Sequence, residues 1–565
     1  MKEEISVRLT GEAGQGIVSA GTIFCRMCRD SGRHVFAIQD YMSRIRGGNN
    51  FFQVRASSRP VYAPRDKADI IIALDKDAVE ASRSALAPGG VLLLDAAAFG
   101  MEAGGEGVLD VPLYAIAKEC GGPIYANAAA LGALAALVCA DFEDAARAIN
   151  REFGSKGGEI AANNVKAARK GFDFISSGGR SCGFPLAAAA HRRDCLIAGN
   201  EALALGAISA GCKFYSAYPM SPSTGIMNTV ADYAARYGII VEQAEDEIAA
   251  VNMAVGASFA GARAMTGSSG GGFALMCEGV SLAAMTETPV VIAVAMRPGP
   301  ATGFPTRTAQ EDLEFVLHAG HGEFARAVYS PGSPEECFLA AKRAFNTAER
   351  FQVPALILTD QHLAESFVNI EFPDQNAEPP DRGRIAGPDH KGPRYAWSDD
   401  GVSPRIFPGR PGPLAAADSD EHGPEGHITE SAAERVKMTR KRLHLKMAGL
   451  AKEILEPVVV NAGAPVMLCG FGSTLGVLRE VCEKAAGTGF VHFPQVWPFP
   501  SEAALAALNG AKKVLTVEGN ASGQLARLIR RETGLEPDGS ILKYDGRPFT
   551  LDGVLAELEG GGHEA

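Results

Sequence analysis

The first candidate for a binding site is residues 218–224 (YPMSPST), which precede a predicted helix that begins near Gly225. Pro219 and Pro222 restrict the backbone there, and the Ser221 hydroxyl is one of several at the helix start. Free N–H groups and hydroxyls at a helix N-terminus favour a carboxylate. Ordinary N-capping without a ligand accounts for the same residues, so both interpretations stay open.

A second candidate is a run rich in acidic side chains, residues 242–247 (EQAEDE), which leads into a helix predicted over 246–262. Glu247 is the last of these acids and can face inward, while Glu245 and Asp246 stay in solvent. A buried carboxyl group of this kind can share a proton with a ring nitrogen. The alternative is that the acids only interact favourably with the helix dipole from its first turn.

A third candidate is the single arginine of a segment rich in glycine and proline, residues 298–311 (PGPATGFPTRTAQE). Thr308 and Glu311 have the spacing of a capping box, which predicts a helix directly after Arg307. An arginine on such a loop suits bidentate binding of a substrate carboxylate. It can equally be a surface arginine that pairs with Glu311 or Asp312.

Near the start of the chain, a strand predicted over residues 5–10 leads through Gly14 and Gly16 into a helix over 17–30. This order points backbone N–H groups at a phosphate, so a nucleotide or coenzyme A is a candidate ligand. The glycine spacing differs from that of dinucleotide-binding turns, and Asp40 imitates their ribose-binding acid imperfectly. A tight strand–helix turn without a ligand is the alternative.

Two smaller motifs carry less chemistry. Arg44 and Arg46 lie in a flexible basic segment (SRIRGGNN) that can meet phosphates, a partner or only solvent. Cys25 and Cys28 form a C-x-x-C within a predicted helix, with no second pair at metal-binding distance. We interpret this pair as helix packing and predict no metal site and no iron–sulfur cluster in this chain.

The composition restricts the class of protein. The chain has 565 residues, 46% of them hydrophobic and 21% charged, which indicates roughly three or four globular domains. Its formal net charge of −12 argues against nucleic-acid binding. The apolar run over residues 128–140 is too short to span a membrane, and the polar opening MKEEISVRL does not resemble a secretory signal, so we expect a cytoplasmic protein.

Strands and helices alternate in three stretches, residues 1–185, 190–372 and 456–565, which predicts parallel, doubly wound α/β domains. Residues 373–455 form a connector rich in proline and glycine that ends in a charged helix over 432–455. Further strands are predicted over 35–38, 69–74, 91–95, 239–242, 263–266, 289–296, 465–469, 490–492 and 513–517.

Taken together, these segments resemble the alpha subunits of 2-oxoacid:ferredoxin oxidoreductases over nearly the whole chain. YPMSPST is similar to the family's Tyr-Pro-x-Thr-Pro motif, with Ser221 in place of the threonine, and GFPTRTAQEDL, EHGPEGHITE and EGNASGQLARLIR also look like alpha-subunit segments. The resemblance implies a multi-domain α/β protein. Its parts would be a Rossmann-like gamma domain (1–185), a domain of the thiamine-diphosphate pyrimidine-binding type (190–372) and a transketolase C-terminal-like domain (456–565).

The resemblance also implies an activity, the coenzyme A-dependent oxidative decarboxylation of a 2-oxoacid to an acyl-CoA and CO2 with reduction of ferredoxin. EHGPEGHITE favours 2-oxoglutarate, with pyruvate or several 2-oxoacids as alternatives. Thiamine diphosphate, Mg²⁺ and a [4Fe-4S] cluster would be held mainly by a separate beta subunit. This chain has neither a Gly-Asp-Gly segment followed by asparagine nor cluster cysteines. It would therefore be inactive alone and work in an (alpha–beta)2 assembly.

Site roles follow from the same resemblance. Glu247 would hydrogen-bond the pyrimidine nitrogen of the coenzyme, and Arg307 would bind the substrate carboxylate. The remaining assigned residues would line the substrate pocket (Tyr218 and Ser221), the coenzyme site (Pro219 and Pro222) or the coenzyme A site (Gly14 and Gly16).

A dicarboxylate substrate needs a second cation, for which Lys213, Arg263 and Arg297 are candidates that the sequence does not rank. Two other functions stay open. One is a nucleotide-binding or assembly protein with structural glycine loops. The other is half of a different thiamine enzyme, of the transketolase or dehydrogenase type.

Overall fold

The computed structural model describes residues 2–43, 47–102, 104–186 and 195–560. The described chain divides into two compact units. The first contains the residues up to Ile197, Ser366–Phe372 and the described residues from Phe549 onward. The second contains Ala198–Glu365 and Pro373–Pro548.

Strands occur in both units. In chain order they are β1 (Glu4–Ala13), β2 (His34–Asp40), β3 (Gly47–Ser57), β4 (Ala68–Ala73), β5 (Leu86–Leu94), β6 (Val108–Asp110), β7 (Cys195–Ala198), β8 (Phe214–Ala217), β9 (Ile240–Gln243), β10 (Ala264–Ser268), β11 (Val290–Met296), β12 (Ala327–Tyr329), β13 (Pro354–Asp360), β14 (Phe367–Ile370), β15 (Val458–Val460), β16 (Val466–Phe471), β17 (Thr488–Phe493), β18 (Gln495–Trp497), β19 (Lys513–Glu518) and β20 (Gly539–Leu542).

The α-helices, in the same order, are α1 (Ile17–Asp30), α2 (Lys76–Ser82), α3 (Ala96–Phe99), α4 (Leu113–Glu119), α5 (Ala126–Leu137), α6 (Phe142–Phe153), α7 (Gly158–Ser177), α8 (Gly199–Ser209), α9 (Thr224–Tyr237), α10 (Glu247–Phe259), α11 (Gly270–Leu275), α12 (Cys277–Met285), α13 (Leu313–His318), α14 (Pro334–Phe351), α15 (Gln361–Glu365), α16 (Ala432–Thr439), α17 (Lys446–Leu450), α18 (Thr474–Lys484), α19 (Ser501–Leu508), α20 (Gln524–Thr533) and α21 (Leu551–Leu558). A π-helical turn, Arg440–Leu445, joins α16 to α17.

The first unit is built on a mixed sheet with the strand order β6-β5-β4-β1-β3-β2-β14-β7. Strands β1, β4, β5 and β6 are parallel, as predicted. The prediction of a wholly parallel sheet was wrong, because β3 runs antiparallel to both β1 and β2, and β14 runs antiparallel to β2. Gly47 and Gly48, predicted to be part of a flexible segment, begin β3 with positive φ angles of 74° and 85°.

Helix α5 explains the apolar run noted in the sequence, because all of its residues are buried within the first unit. It packs closely on α7: a Cβ at Gly132 would collide with the carbonyl of Ala168, and a Cβ at Gly171 with that of Ala129. The absence of a side chain at both glycines lets the two helix backbones approach each other.

The second unit contains two sheets, one ordered β18-β12-β13-β11-β10-β8-β9 and one ordered β15-β17-β16-β19-β20. In the larger sheet, β9, β8, β10, β11, β13 and β12 are parallel neighbours. Every residue of β11 and β13 is buried, which explains the uninterrupted apolar sequence of β11. The multi-domain α/β prediction is confirmed.

The connector after the larger sheet contains no helix or strand among the described residues 373–431. A group of buried charges lies beside the connector. The Glu287 carboxylate pairs with Lys441 at 2.5 Å and with Lys446 at 2.7 Å, and all three side chains are almost fully buried. Arg394, from the connector, donates to the Glu287 carbonyl at 2.9 Å.

Cys25 and Cys28 lie within the core of the first unit, and burial raises the pKa of both thiols. No group of three or more possible metal ligands occurs among the residues that the structure describes. Within the same residues, no helix is both long and apolar enough to cross a membrane.

Candidate functional site

The candidate site lies at one edge of the seven-stranded sheet. Residues 218–221 follow the end of β8, Glu247 follows β9, Ser268 ends β10, and Arg297 follows β11. Because these neighbouring strands are parallel, their carboxyl ends meet at the same edge, where open α/β sheets usually bind ligands. The topology therefore gathers residues that are distant in sequence.

Glu247 is the first residue of α10 and is only 2% exposed. Asp246 caps the helix by accepting a hydrogen bond from the Ala249 N–H at 2.7 Å, and Glu245 is exposed. The Ser268 hydroxyl donates to Glu247 Oε1 at 2.8 Å. The predicted inward orientation of Glu247 is therefore confirmed, and its Oε2 accepts no hydrogen bond from the residues that the structure describes.

Gly272 sits where the Glu247 carboxylate needs space. A Cβ at this position would collide with both Glu247 Oε1 and Ser268 Oγ. Gly272 lies in α11, directly after the turn that carries Ser268 and Ser269. The glycine-rich turn therefore shapes the pocket around the acid.

Arg297 connects the acid to the proline-rich segment. Its Nη1 donates to the Ser221 carbonyl at 2.8 Å. Burial lowers the pKa of the Arg297 guanidinium, while the Glu247 carboxylate acts in the opposite direction. Ser221 and Glu247 therefore both interact with the Arg297 side chain.

The rest of the 218–224 segment is held by nearby side chains. The Pro222 carbonyl accepts a hydrogen bond from Asn200 Nδ2 at 2.7 Å, and Pro222 is buried. Pro219 is partly exposed, and Tyr218 is 40% exposed at the end of β8. Helix α9 begins at Thr224, close to its predicted start. The Ser223 hydroxyl does not cap it; it donates to the Met220 carbonyl at 2.8 Å.

The predicted capping box at Thr308 and Glu311 was wrong. Helix α13 begins later, at Leu313, so Arg307 does not directly precede a helix. The Thr308 hydroxyl instead donates to the Asp360 carboxylate at 3.3 Å, and Glu311 accepts from the Gly299 N–H at 2.8 Å. The hydrogen bond between Gly299 and Glu311 joins the two ends of a loop, residues 299–311.

Arg307 lies within this loop, and its Cβ and Cγ pack beside Gly546. The Thr308 N–H donates to the Gly546 carbonyl at 3.3 Å. The loop also approaches the glycine-rich turn near Glu247, because a Cβ at Gly270 would collide with the Asp312 carboxylate. Arg307 thus belongs to a loop that borders the candidate site.

Asp312 also lies beside the candidate site, although the sequence analysis named it only as a possible ion-pair partner of Arg307. Burial, together with the like charge of Glu311, raises its pKa from 3.8 to about 6. Asp312 therefore retains its proton to a higher pH than an ordinary aspartate.

The structure separates the three candidates for a second cation. Lys213 precedes β8 and donates to the Tyr237 carbonyl, while Arg263 precedes β10 and donates to Asn346 at 2.8 Å. Both therefore lie at the amino edge of the sheet, opposite the candidate site. Of these three candidates, Arg297 lies at the carboxyl edge.

The first unit contains a separate feature at its glycine turn. Gly14 and Gly16 have positive φ angles of 96° and 75°, and Gly16 precedes α1. Gly14 helps line a cavity of about 290 Å3 together with Gln15, Tyr114 and Asn127. Among the described residues, the buried Asn127 Oδ1 has no hydrogen-bond partner. Gly14 thus borders a cavity that is also lined by Asn127.

Asp40, the candidate for a ribose-binding acid, is not placed beside the glycine turn as in a dinucleotide-binding domain. Asp40 ends β2, and β3 separates β2 from β1, so the expected ribose-binding arrangement is absent here. Arg44 and Arg46 lie outside the described residues.

Sequence reasoning missed the roles of Ser268 and Gly272. They are 21 and 25 positions from Glu247, and only the parallel order of β8, β9 and β10 brings them to it. The available signal in the sequence was the run of glycines and serines at residues 267–272 (GSSGGG), directly after a predicted strand.

Comparisons with known proteins point to one enzyme family. Residues 205–441 match the family described as pyruvate flavodoxin/ferredoxin oxidoreductase, thiamine diP-bdg, and residues 6–174 match pyruvate ferredoxin/flavodoxin oxidoreductase. A 2-oxoacid:ferredoxin oxidoreductase subunit alpha from Sulfolobus is 32% identical, with 96% of this chain and 94% of that protein covered. The 2-oxoglutarate oxidoreductase subunit KorA of Mycobacterium tuberculosis is 28% identical, with 99% and 93% covered.

A solved structure extends the similarity to the fold. It is described as 2-oxoglutarate:ferredoxin oxidoreductase from Magnetococcus marinus with 2-oxoglutarate, coenzyme A and succinyl-CoA bound. It has a TM-score of 0.92 and 32% identity, and covers 99% of this chain and 100% of that one. With the Sulfolobus protein, this similarity over almost the full length confirms the resemblance seen in the sequence. The chain is therefore an alpha subunit of the 2-oxoacid:ferredoxin oxidoreductase family, an oxidoreductase that belongs to a multi-subunit enzyme.

Proposed function

We propose that this alpha subunit acts with a separate beta subunit to convert 2-oxoglutarate, coenzyme A and oxidised ferredoxin into succinyl-CoA, CO2 and reduced ferredoxin. The main support is the buried Glu247 carboxylate at the carboxyl edge of the parallel sheet. The ligands named for the similar Magnetococcus protein support the choice of substrate and product. Pyruvate or a broader set of 2-oxoacids is the alternative.

The residues around Glu247 fit the pyrimidine end of thiamine diphosphate. Ser268 satisfies Oε1 and leaves Oε2 for a ring nitrogen, and Gly272 leaves the space that the carboxylate needs. When bound, thiamine diphosphate supplies a carbon nucleophile and the electron sink for decarboxylation. Glu247 would share a proton between its carboxyl group and the ring nitrogen of the bound coenzyme, and the hydrogen bond from Ser268 would keep the carboxyl group oriented. Pro219 and Pro222 shape the backbone beside it.

Two arginines are proposed to bind the substrate. Arg307 binds the carboxylate next to the keto group, and Arg297 is the second cation that a dicarboxylate needs. The Ser221 hydroxyl and the exposed side of Tyr218 complete the pocket. Arg297 also keeps Ser221 in place through its carbonyl, so one cation both orders the segment and attracts the anion.

The proposed division of labour assigns Mg²⁺, the coenzyme diphosphate and a [4Fe-4S] cluster to the beta subunit, in an (alpha–beta)2 assembly. In this chain, residues 1–185 act as the gamma-type domain, 190–372 as the pyrimidine-binding-type domain, 373–455 as the connector and 456–565 as the transketolase C-terminal-like domain. Gly14 and Gly16 contribute to coenzyme A binding beside the 290 Å3 cavity, which Gly14 and Asn127 line.

The test is anoxic co-expression with the candidate beta subunit, followed by measurement of coenzyme A-dependent viologen reduction with several 2-oxoacids. We expect the highest kcat/KM with 2-oxoglutarate, and no activity from either chain alone. The Arg307→Ala variant should raise the KM for the oxoacid far more than that for coenzyme A. Activity of the alpha chain alone, or dye reduction that needs no 2-oxoacid, would contradict the proposal.

A further inference from the structure

The loop after β19, residues 518–524 (EGNASGQ), is shaped by its own side chains. The Glu518 carboxylate is fully buried and accepts hydrogen bonds from Thr516 Oγ1 at 2.8 Å, Asn520 Nδ2 at 2.8 Å and the Leu525 N–H at 2.7 Å. Asn520 Oδ1 accepts from the Gly523 N–H at 2.8 Å. Since a satisfied buried network of this kind is rigid, the loop presents its backbone groups in fixed positions.

This loop binds Gln310 through backbone and side chain. The Gln310 N–H donates to the Gly519 carbonyl at 2.6 Å, and Gln310 Oε1 accepts from the Gly519 N–H at 2.9 Å. Asn520 Nδ2 donates to the Gln310 carbonyl at 3.1 Å. Gln310 Nε2 donates to the Phe471 carbonyl at 2.8 Å, so this amide spans the ends of the adjacent strands β16 and β19.

Gln524, the last residue of this loop, and Arg527 bind the residues that follow Gln310. Gln524 Nε2 donates to the Glu311 carbonyl at 2.7 Å, and Gln524 Oε1 accepts from the Glu314 N–H at 2.9 Å. Arg527 pairs with the Glu314 carboxylate at 2.6 Å on the surface. Residues 518–527 therefore contact residues 310, 311 and 314, and we name them the 518–527 clamp.

The clamped segment leads directly from Arg307, since only Thr308 and Ala309 lie between Arg307 and Gln310. Three residues of extended chain span roughly 10 Å, so a fixed Gln310 strongly restricts where Arg307 can lie. The Thr308–Asp360 hydrogen bond restrains the loop on its other side.

We propose that the 518–527 clamp positions Arg307, so that the smaller sheet sets the affinity of the enzyme for its oxoacid. The inference depends on the proposed function, because it needs Arg307 to bind the substrate carboxylate. Gln524 is a positioning residue in this account: it acts through the loop backbone and needs no contact with the substrate.

The test is Gln524→Ala in the assembled complex with the beta subunit. We expect the KM for the oxoacid to rise about tenfold, which corresponds to about 1.4 kcal/mol. The kcat and the KM for coenzyme A should stay within about twofold of wild type. Arg530→Ala is the matched control, because Arg530 lies on the same helix and pairs with Glu536 on the surface. It should leave all three constants unchanged.

A general structural defect would lower the thermal midpoint and kcat without this selective change in KM. Gln524→Glu keeps the acceptor for the Glu314 N–H and should give an intermediate KM, which also provides a measurement if Gln524→Ala does not assemble. If Arg307→Ala raises the oxoacid KM and both Gln524 variants leave it at the wild-type value, the clamp is refuted and the proposed function stands. If Arg307→Ala itself leaves the KM unchanged, the assignment of Arg307 fails, and the clamp inference with it.

Discussion

Gly272→Ala tests whether the position of the Glu247 carboxylate controls the reaction. A Cβ at Gly272 would lie 2.2 Å from Glu247 Oε1, whereas real Cβ atoms essentially never approach closer than 3.0 Å. The carboxylate must therefore shift by about 0.8 Å. Because a displacement of about 1 Å at a reacting group can cost about 100-fold in rate, we expect kcat to fall about 100-fold. Overpacking of this kind costs about 1–3 kcal/mol of stability, so the protein should still fold.

The assay for this variant is coenzyme A-dependent dye reduction by the complex, together with a thermal unfolding curve. Gly256→Ala is the matched control, because Gly256 is exposed on the same helix as Glu247 and no atom lies within 4 Å of its added Cβ. The control should keep its activity and gain about 0.5–1 kcal/mol in stability. A folded Gly272→Ala complex with the wild-type kcat would refute the reasoning.

Three further predictions concern charged side chains. Arg297→Ala should lower kcat/KM for 2-oxoglutarate about tenfold more than for pyruvate, since the loss of one charged hydrogen bond costs about 1.5–3 kcal/mol. An unchanged ratio of kcat/KM for 2-oxoglutarate to kcat/KM for pyruvate would exclude Arg297 as the second cation. Asp312 binds its proton more tightly in the folded state, so the stability of the wild-type protein should decrease as pH rises from 3.8 to about 6. The thermal midpoint of Asp312→Asn should not show this decrease. Identical pH profiles of the thermal midpoint for wild type and variant would contradict the raised pKa. Glu287→Gln should lower the free energy of unfolding by about 3–5 kcal/mol, because two buried lysines lose their partner; a denaturant titration that shows less than about 1 kcal/mol would contradict this.

The features that could be predicted from sequence are those with local signals. The apolar run over residues 289–296 predicted strand β11, and the position of Glu247 as the last acid at the start of a predicted helix predicted that it faces inward. Both depend on periodicity and burial, which a short window of sequence contains.

The features that could not be predicted depend on partners far along the chain. The capping-box spacing at Thr308 was misleading because its hydroxyl binds Asp360, 52 residues away, in place of a nearby N–H group. Strand β3 was missed because it opens with Gly47, Gly48 and two asparagines, residues that are typical of turns. Arg297 could not be ranked above Lys213 until the strand order showed that Arg297 follows β11 at the carboxyl edge of the sheet and Lys213 precedes β8 at the amino edge.

The most direct test of the account is the turnover of Glu247→Gln in the complex with the beta subunit. We predict that this variant assembles normally and loses turnover, by at least about 100-fold, because it lacks the proton that the carboxyl group exchanges. Glu245→Gln, at an exposed acid two positions earlier, should retain full activity. Wild-type turnover by an assembled Glu247→Gln complex would contradict the central claim that this buried acid serves the coenzyme.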